Sequence, residues 1–330
     1  MDDGSVRRVA VSVVVPVYRS AQILPQLVRS TRVALEGAGL PGEFELIFVC
    51  DASPDDSWQT IRTLASENAF VRGICLRLNT GQHNATMAGL HHARGRSIVV
   101  MDDDLQHPPE AIPRLIARLE EGFDVCYTHY HNRRHALWKK AGSWINDTVA
   151  TLLLDKPRGL YLSSFKAMRR EIAEEVTKYD GPYAYVDGLI LDISRSIGTI
   201  EIEHRERMAG RSNYGLRRSM SLWLKMATSF SVVPLRLAAI LGALLGTLSL
   251  CIIVYVVWAK LHDPSIPAGW TSLIATILFV GGAQLVGLGL IGEYLGRAYL
   301  KLNRKPQFVI REATDDLVQD RWRARQESNL

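Results

Sequence analysis

Ser97-Ile98-Val99-Val100-Met101 runs directly into Asp102-Asp103-Asp104-Leu105-Gln106-His107-Pro108-Pro109-Glu110. The first five residues read as a short buried strand, and Pro109 suits the start of a helix, where its missing N–H costs nothing. Three aspartates lie between them. Adjacent carboxylates repel one another, so a strand end that carries three of them calls for a compensating ligand. Asp102, Asp104 and Gln106 offer alternate hard oxygen ligands, the set that suits Mg2+ or Mn2+. A divalent ion there would neutralise a diphosphate and improve it as a leaving group.

The same alternation of elements extends in both directions. Val11–Val17, Phe44–Cys50, 71–78 and 123–128 are further strand-like runs, and 22–35, Ser57–Glu67, 83–93 and 109–121 are helix-like. This order predicts an α/β fold with a mostly parallel sheet covered on both faces. Ligands of such sheets sit beyond the carboxyl ends of the strands. The polar segments Val15–Ser20 and Cys50–Ser57 end the first two strands, as Asp102–Glu110 ends the fourth. No G-x-G-x-x-G follows the first strand and no G-x-x-x-x-G-K-[ST] occurs, so dinucleotide binding and P-loop hydrolysis lose their main support.

The chain has 330 residues, 47% apolar and 22% charged, which excludes a disordered chain. A net charge of +5 does not imply binding of nucleic acid. Cys50, Cys75, Cys126 and Cys251 are scattered and read as free thiols in a reducing compartment. The mean hydropathy of +0.02 is an average over two unlike parts. Leu237–Trp258 is 22 residues without a charge, and Ser272–Gly292 is 21 residues with only Gln284 strongly polar. Each is long enough to cross a bilayer. Basic residues flank the pair (Arg217, Arg218, Lys225 and Arg236 before; Arg297, Lys301, Arg304 and Lys305 after), while the connecting turn 260–269 carries only Lys260. The positive-inside rule then gives a hairpin in the plasma (inner) membrane with both flanks cytoplasmic. Gly242-x-x-x-Gly246 and Gly292-x-x-x-Gly296 provide flat faces for helix contact within or between chains, hence an expected homo-oligomer. Leu216, Met220, Trp223, Ala227 and Phe230 recur at helical spacing and predict a helix lying in the bilayer interface. Arg7-Arg8 before 9–17 resembles the start of a signal peptide, but Pro16 and the valine-rich run suit a first strand better. Four parts result: 1–210 a cytoplasmic α/β domain, 211–236 an interfacial helix, 237–292 a transmembrane hairpin and 293–330 a cytoplasmic tail.

V-V-V-P-V-Y at 13–18, D-A-S-P-D-D-S at 51–57 and D-D-D-L-Q-H-P-P-E at 102–110 resemble the family 2 glycosyltransferases of GT-A fold. N-T-G-Q-H-N-A-T-M-A-G-L at 79–90, E-R-M-A-G-R-S-N-Y at 206–214 and G-A-Q-L-V-G-L-G-L-I-G-E-Y-L-G-R at 282–297 narrow the resemblance to bacterial polyprenyl-phosphate glycosyltransferases. These include undecaprenyl-phosphate aminoarabinose and glucosyl transferases and, more distantly, dolichol-phosphate mannose synthases. The resemblance implies a sugar moved from a nucleoside diphosphate sugar, a UDP-sugar, to polyprenyl phosphate at a lipid bilayer. It places Pro16, Tyr18 and Asp51 at the base and ribose, and Asp102, Asp103, Asp104 and Gln106 at the metal and diphosphate. Gln82 and His83 would border the donor. Arg207, Ser212 and Tyr214 would meet donor and acceptor phosphates, and Arg133, Lys139 and Lys140 would lie near the membrane mouth.

Some positions depart from the family pattern. Ser20 stands for a frequent glutamate, Tyr130 for an arginine and Asn213 for a lysine. Gly159-Leu160-Tyr161 replaces the segment that carries an aspartate often proposed as the base. A lipid phosphate monoester, with a second pKa of about 6, is already mostly dianionic at pH 7 and needs little from a base. Asp187 is a candidate substitute base or sugar partner; a solvated turn residue is the plain alternative. Two other functional readings are a processive polysaccharide synthase, for which Gln319-Asp320-Arg321-Trp322 is one residue short of the Q-x-x-R-W motif, and a catalytically silent membrane scaffold.

Overall fold

The structure is a computed structural model that describes residues 9–130, 157, 160–202, 233–262, 269–303 and 306–315. It forms two compact units: Met1–Asn213 with Arg304–Leu330, and Tyr214–Asn303. Most of the interfacial helix expected at 211–236, most of the turn at 260–269 and Trp322 lie outside the described residues; 233–236, the end of that expected helix, belong to the helix Val233–His262.

The first unit is built on β1 (Val11–Val17), β2 (Phe44–Cys50), β3 (Val71–Leu76) and β4 (Ser97–Val100), which pair in parallel in the order β3-β2-β1-β4. Both faces of this sheet are buried, which is why the strands read as mainly apolar runs. Val11, Val13, Val15 and Val17 face one side with Leu46 and Phe48, under α1 (Leu24–Gly37), α2 (Ser57–Glu67) and α4 (Ile112–Glu120). Val14 and Val49 face the other, under α3 (Gln82–His92). That helix is buried on nearly every side. Gly89 brings it close to β1: a Cβ there would lie 2.3 Å from Val14 Cγ1 and 3.2 Å from Val49 Cγ2.

Five elements have no counterpart in the sequence reading. β6 (Lys166–Arg169) enters antiparallel between β4 and β5 (Val125–Tyr130), and α5 (Arg170–Thr177) follows it at once. α6 (Val186–Ile193) leads to β7 (Ile197–Ile202), which runs parallel to β5 and alternates buried with exposed residues, as an edge strand does. β8 (Ile310–Ala313) pairs antiparallel with β3 and completes the order β7-β5-β6-β4-β1-β2-β3-β8. Residues past the second apolar stretch, read as a tail, thus include a strand of the sheet. Trp58 Nε1–H donates to Glu312 Oε2 at 2.9 Å and Gly73 N–H to Thr314 Oγ1 at 2.8 Å, fastening that strand to its neighbours.

The second unit contains α7 (Val233–His262) and α8 (Trp270–Leu302), which hold the two apolar stretches read from the sequence. Among the described residues one helical segment, Phe279–Leu300, is long and apolar enough to cross a membrane, and none of its apolar window is buried. The apolar segment of α7, Ala238–Ile252, is shorter.

The fit of α3 on β1 depends on the missing side chain at Gly89. Gly89→Ala places its methyl against a stiff, buried valine, and overpacking of this kind costs about 1–3 kcal/mol. The expected outcome is a lowered thermal midpoint of the purified protein in detergent; an unchanged midpoint would show that the helix shifts freely.

Candidate active site

Three loops follow β1, β2 and β4 at their carboxyl ends, and each contains a non-glycine residue in the left-handed region: Arg19 (φ +60°), Ala52 (+49°) and Leu105 (+57°). These are the only such residues among those described. Side chains persist there only where surrounding bonds fix them, and such strain gathers at functional sites. Pro16 fits the same geometry. Val14 C=O accepts from Met101 N–H, so backbone groups of every second residue face β4, Pro16 among them. The β1–β4 ladder stops at Val14–Val100, so the missing N–H of Pro16 falls where the acidic loop diverges.

Carboxylates cross-link the loops. Asp103 Oδ2 accepts from Tyr18 N–H at 3.0 Å, joining the β1 and β4 ends. Asp55 joins the β1 and β2 ends: Oδ1 accepts from Ser53 Oγ (2.5 Å), Ser57 Oγ (2.6 Å) and Ser57 N–H (3.2 Å), and Oδ2 from Ala21 N–H (3.4 Å). Burial works against ionisation of Asp55, but these hydrogen bonds outweigh it and hold its carboxyl below the ordinary carboxylate range. Asp51 is buried, with Oδ1 accepting from Thr80 N–H (2.7 Å) and Oδ2 from Gly81 N–H (2.8 Å). It thereby fixes the turn into α3, where Gly81 has φ +88°. The residue assigned to base and ribose by resemblance thus spends both carboxylate oxygens on its own chain.

The acidic loop is held by neutral groups. Asp102 Oδ1 accepts from Gln82 Nε2 at 2.5 Å and Oδ2 from Ser164 Oγ at 2.6 Å. Its N–H donates to His107 Nδ1 at 3.1 Å, which leaves the proton of the neutral imidazole on Nε2, 3.8 Å from Asp102 Oδ2. The His107 ring stacks on Phe165 with centroids 5.1 Å apart. Asp104 Oδ1 accepts from Gln106 N–H at 3.1 Å, closing the turn over Leu105. Burial pushes the Asp103 carboxyl up to about 6; hydrogen bonds from Ser20 and Tyr18 oppose the rise, and the charges of Asp102 and Asp104 add to it. No group of three or more His, Cys, Asp or Glu gathers among the described residues as a full ligand shell. The two carboxylates and one amide fit a divalent ion that takes its remaining ligands from a diphosphate. Amide, hydroxyl and imidazole groups orient Asp102 without cancelling its charge.

A cleft of about 260 Å3 lies beside this loop. Gln82, His83, Ser164, Tyr185, Lys166 and Asp187 line it. His83 and Tyr185 meet edge to face with centroids 5.0 Å apart, and burial keeps the His83 imidazole below its ordinary pKa. Asp187, in the first turn of α6, is buried; its Oδ1 pairs with Lys166 Nζ and accepts from Tyr127 Oη at 3.0 Å. The structure therefore brings Tyr18, Gln82, His83, Asp102–Gln106 and Asp187 to one end of the sheet. Arg133, Lys139, Lys140, Arg207, Ser212 and Tyr214 lie outside the described residues. Asp55, His107, Ser164 and Lys166 were missed. Asp55 stands inside a motif quoted from the sequence, where serines two residues either side signal a carboxylate-held turn; nothing in the sequence marks Lys166.

A mostly parallel α/β sheet with acidic and hydroxyl-bearing loops at its strand ends is an arrangement compatible with a nucleotide-sugar glycosyltransferase of GT-A fold, and the family match identifies the chain as one. The chain matches the model of glycosyl transferase family 2 over residues 12–177, half its length, and belongs to that family. Residues 233–298 match the model of the GtrB C-terminal hairpin. The resemblance read from the motifs is borne out. Among solved structures, the Mycobacterium tuberculosis glucosyl-3-phosphoglycerate synthase in complex with Mn2+, UDP and phosphoglyceric acid is similar at 18% identity and a TM-score of 0.49, covering 66% of this chain and 76% of that one. The Rubrobacter xylanophilus mannosyl-3-phosphoglycerate synthase is similar at 15% identity and a TM-score of 0.46, covering 67% and 71%. S. aureus TarS 1–349 is similar at 20% identity and a TM-score of 0.42, and this chain spans 58% of its length.

Asp55 has a testable signature. A carboxylate with a lowered folded pKa contributes stability that is present above its unfolded pKa, about 3.9, and lost as pH falls through the folded value. Asp55→Asn should therefore lower the thermal midpoint at pH 7 and narrow the gap to wild type as the buffer is taken toward pH 3. A gap that stays constant over that range would assign the effect to packing alone.

Proposed function

We propose that the protein is a membrane-bound inverting glycosyltransferase that moves a monosaccharide from a UDP-sugar to polyprenyl (undecaprenyl) phosphate for modification of a cell-envelope glycan or lipid. One observation carries this reading: the family 2 domain and the GtrB-type hairpin occur in one chain, so donor-site loops are joined covalently to apolar helices. A lipid acceptor accounts for that union, since its headgroup has to be met at the bilayer surface.

Transfer breaks the bond between the anomeric carbon and the diphosphate oxygen and forms a bond from that carbon to an acceptor phosphate oxygen. The acceptor dianion supplies its own charge, so the protein has to position it more than deprotonate it. We assign Arg133, Lys139, Lys140 and Arg207, with Ser212 and Tyr214, to hold that phosphate, because arginine and lysine suit phosphate oxygens. Pro16, Tyr18 and Asp51 border the nucleotide, and Gln82 and His83 the donor sugar. Asp102, Asp104 and Gln106 would hold Mg2+ or Mn2+, which when bound supplies charge neutralisation at the leaving diphosphate. Asp103 acts through the backbone of Tyr18. Asp187, already tied to Lys166 and Tyr127, is assigned to the sugar. Leu237–Trp258 and Ser272–Gly292 would span the inner membrane with the catalytic domain cytoplasmic, and their glycine faces would support a homo-oligomer.

Membranes carrying the protein, incubated with labelled UDP-sugars and polyprenyl phosphate, should yield label in the lipid extract. Chelator should abolish it, and Asp104→Asn should cut turnover by about a hundredfold or more with the fold intact. Full turnover in either case would remove the metal from the reading. For topology, a membrane-impermeant thiol reagent applied from the periplasmic side should label Ser265→Cys and leave Ser5→Cys untouched. Labelling in the opposite sense would overturn the hairpin orientation.

A further inference from the structure

The cleft beside the acidic loop has a definite charge pattern. Among the described residues its lining holds one acid, Asp187, and one base, Lys166, and the two are bonded to each other. Their side chains are 8% and 3% exposed, so neither is screened by water. Tyr127 adds a hydroxyl to the same Asp187 oxygen, and its ring lies 5.3 Å below Lys166 Nζ. The rest of the described lining includes an amide (Gln82), hydroxyls (Thr86, Ser164), the rings of Tyr161 and Tyr185 and the His83 imidazole, which burial keeps neutral at pH 7. Asp102, joined to Gln82 and Ser164, stands at the rim toward the acidic loop.

We propose that this cleft selects an uncharged monosaccharide, and excludes both uronic acids and amino sugars, through the Lys166–Asp187 pair. The inference rests on the reading of the cleft as the place of the donor's sugar. Hydroxyl groups of a neutral sugar meet donors and acceptors without disturbing the pair. A sugar carboxylate would have to take Lys166 from Asp187, or sit beside Asp187 unpaired. An ammonium group would have to take Asp187 from Lys166. In each case one buried charge loses its partner, and that costs far more than the new contact returns. Selectivity of this kind comes from what the site penalises as much as from what it binds.

The test is titration calorimetry on the full-length protein in detergent with Mn2+, using UDP, UDP-glucose, UDP-glucosamine and UDP-glucuronic acid. The three sugars share one ring configuration and differ in charge. The expected result is that the amino and acid sugars bind at least about tenfold more weakly than UDP-glucose. Equal or tighter binding of either, with UDP bound, overturns the inference and leaves the proposed function standing. Failure of UDP itself to bind overturns the proposed function and this inference with it. Asp187→Asn should improve UDP-glucuronic acid relative to UDP-glucose, and Lys166→Gln should improve UDP-glucosamine. A merely structural pair would weaken all ligands together, which would also overturn the proposal. The wild-type series decides the matter if a variant does not fold.

Discussion

Four parallel strands ending side by side leave the N–H groups of their following loops without ladder partners, and each then needs another acceptor from the protein or from water. In this protein carboxylates take up those donors. Asp51 accepts from Thr80 and Gly81, Asp55 from Ser57 and Ala21, Asp103 from Tyr18, and Asp104 from Gln106. Most of these bonds run between loops. They hold Arg19, Ala52 and Leu105 in left-handed backbone, each at a cost on the order of 1–3 kcal/mol. Strain at three positions is tolerated because the loops are fixed from several directions at once.

The same arrangement concentrates negative charge. The groups that orient Asp102 are Gln82, Ser164 and His107, none of which cancels a carboxylate when His107 is neutral. Rigidity and charge are therefore two results of one design. Loops tied by carboxylates keep their shape before a ligand arrives, and fixed charges that need not reorganise act most strongly on a charged group that enters. The strand order supports this from below. β1 and β4 stay paired only to Val14 and Val100, so the acidic loop leaves the sheet early and faces Tyr18 across the gap.

The parallel core was legible because each of its strands is buried on both faces and so is mainly apolar; the buried polar exceptions Ser12, Glu45 and Arg72 satisfy one another by hydrogen bonds. The acidic loop was legible because no strand end carries three aspartates without a reason. Val11–Val17, Phe44–Cys50 and Ser57–Glu67 stand as read, and elsewhere in the core element ends moved by one to three residues, as when Phe123 and Asp124 proved to precede β5. What the sequence hid was the antiparallel part. Lys166-Ala167-Met168-Arg169 has neither alternation nor β-branched residues, and it is a strand only because β4 and β5 flank it. β8 pairs with β3 across more than two hundred residues, a distance at which no local pattern speaks. Asp55 lay in plain view among serines, but its cross-loop bond to Ala21 N–H belongs to the tertiary structure.

Lys166 shows most clearly what the hidden strand contributes. Burying an ion pair is a poor way to gain stability, because desolvating both charges offsets most of their attraction, and apolar residues of like volume often serve as well. Its position accounts for it better. Along the chain entering β6, side chains alternate. Ser164 and Lys166 line the cleft, while Phe165 between them is fully buried in the core and stacks under His107. Ser164 reaches Asp102 and Lys166 reaches Asp187, so three consecutive residues fix the acidic loop, the imidazole behind it and the floor of the cleft. A parallel strand in this place would have to arrive from the opposite end of the sheet and would carry its first residues away from the loops. The reversal of chain direction at β6 is what lets one short segment hold the charged loop and the neutralised cleft in a fixed relation.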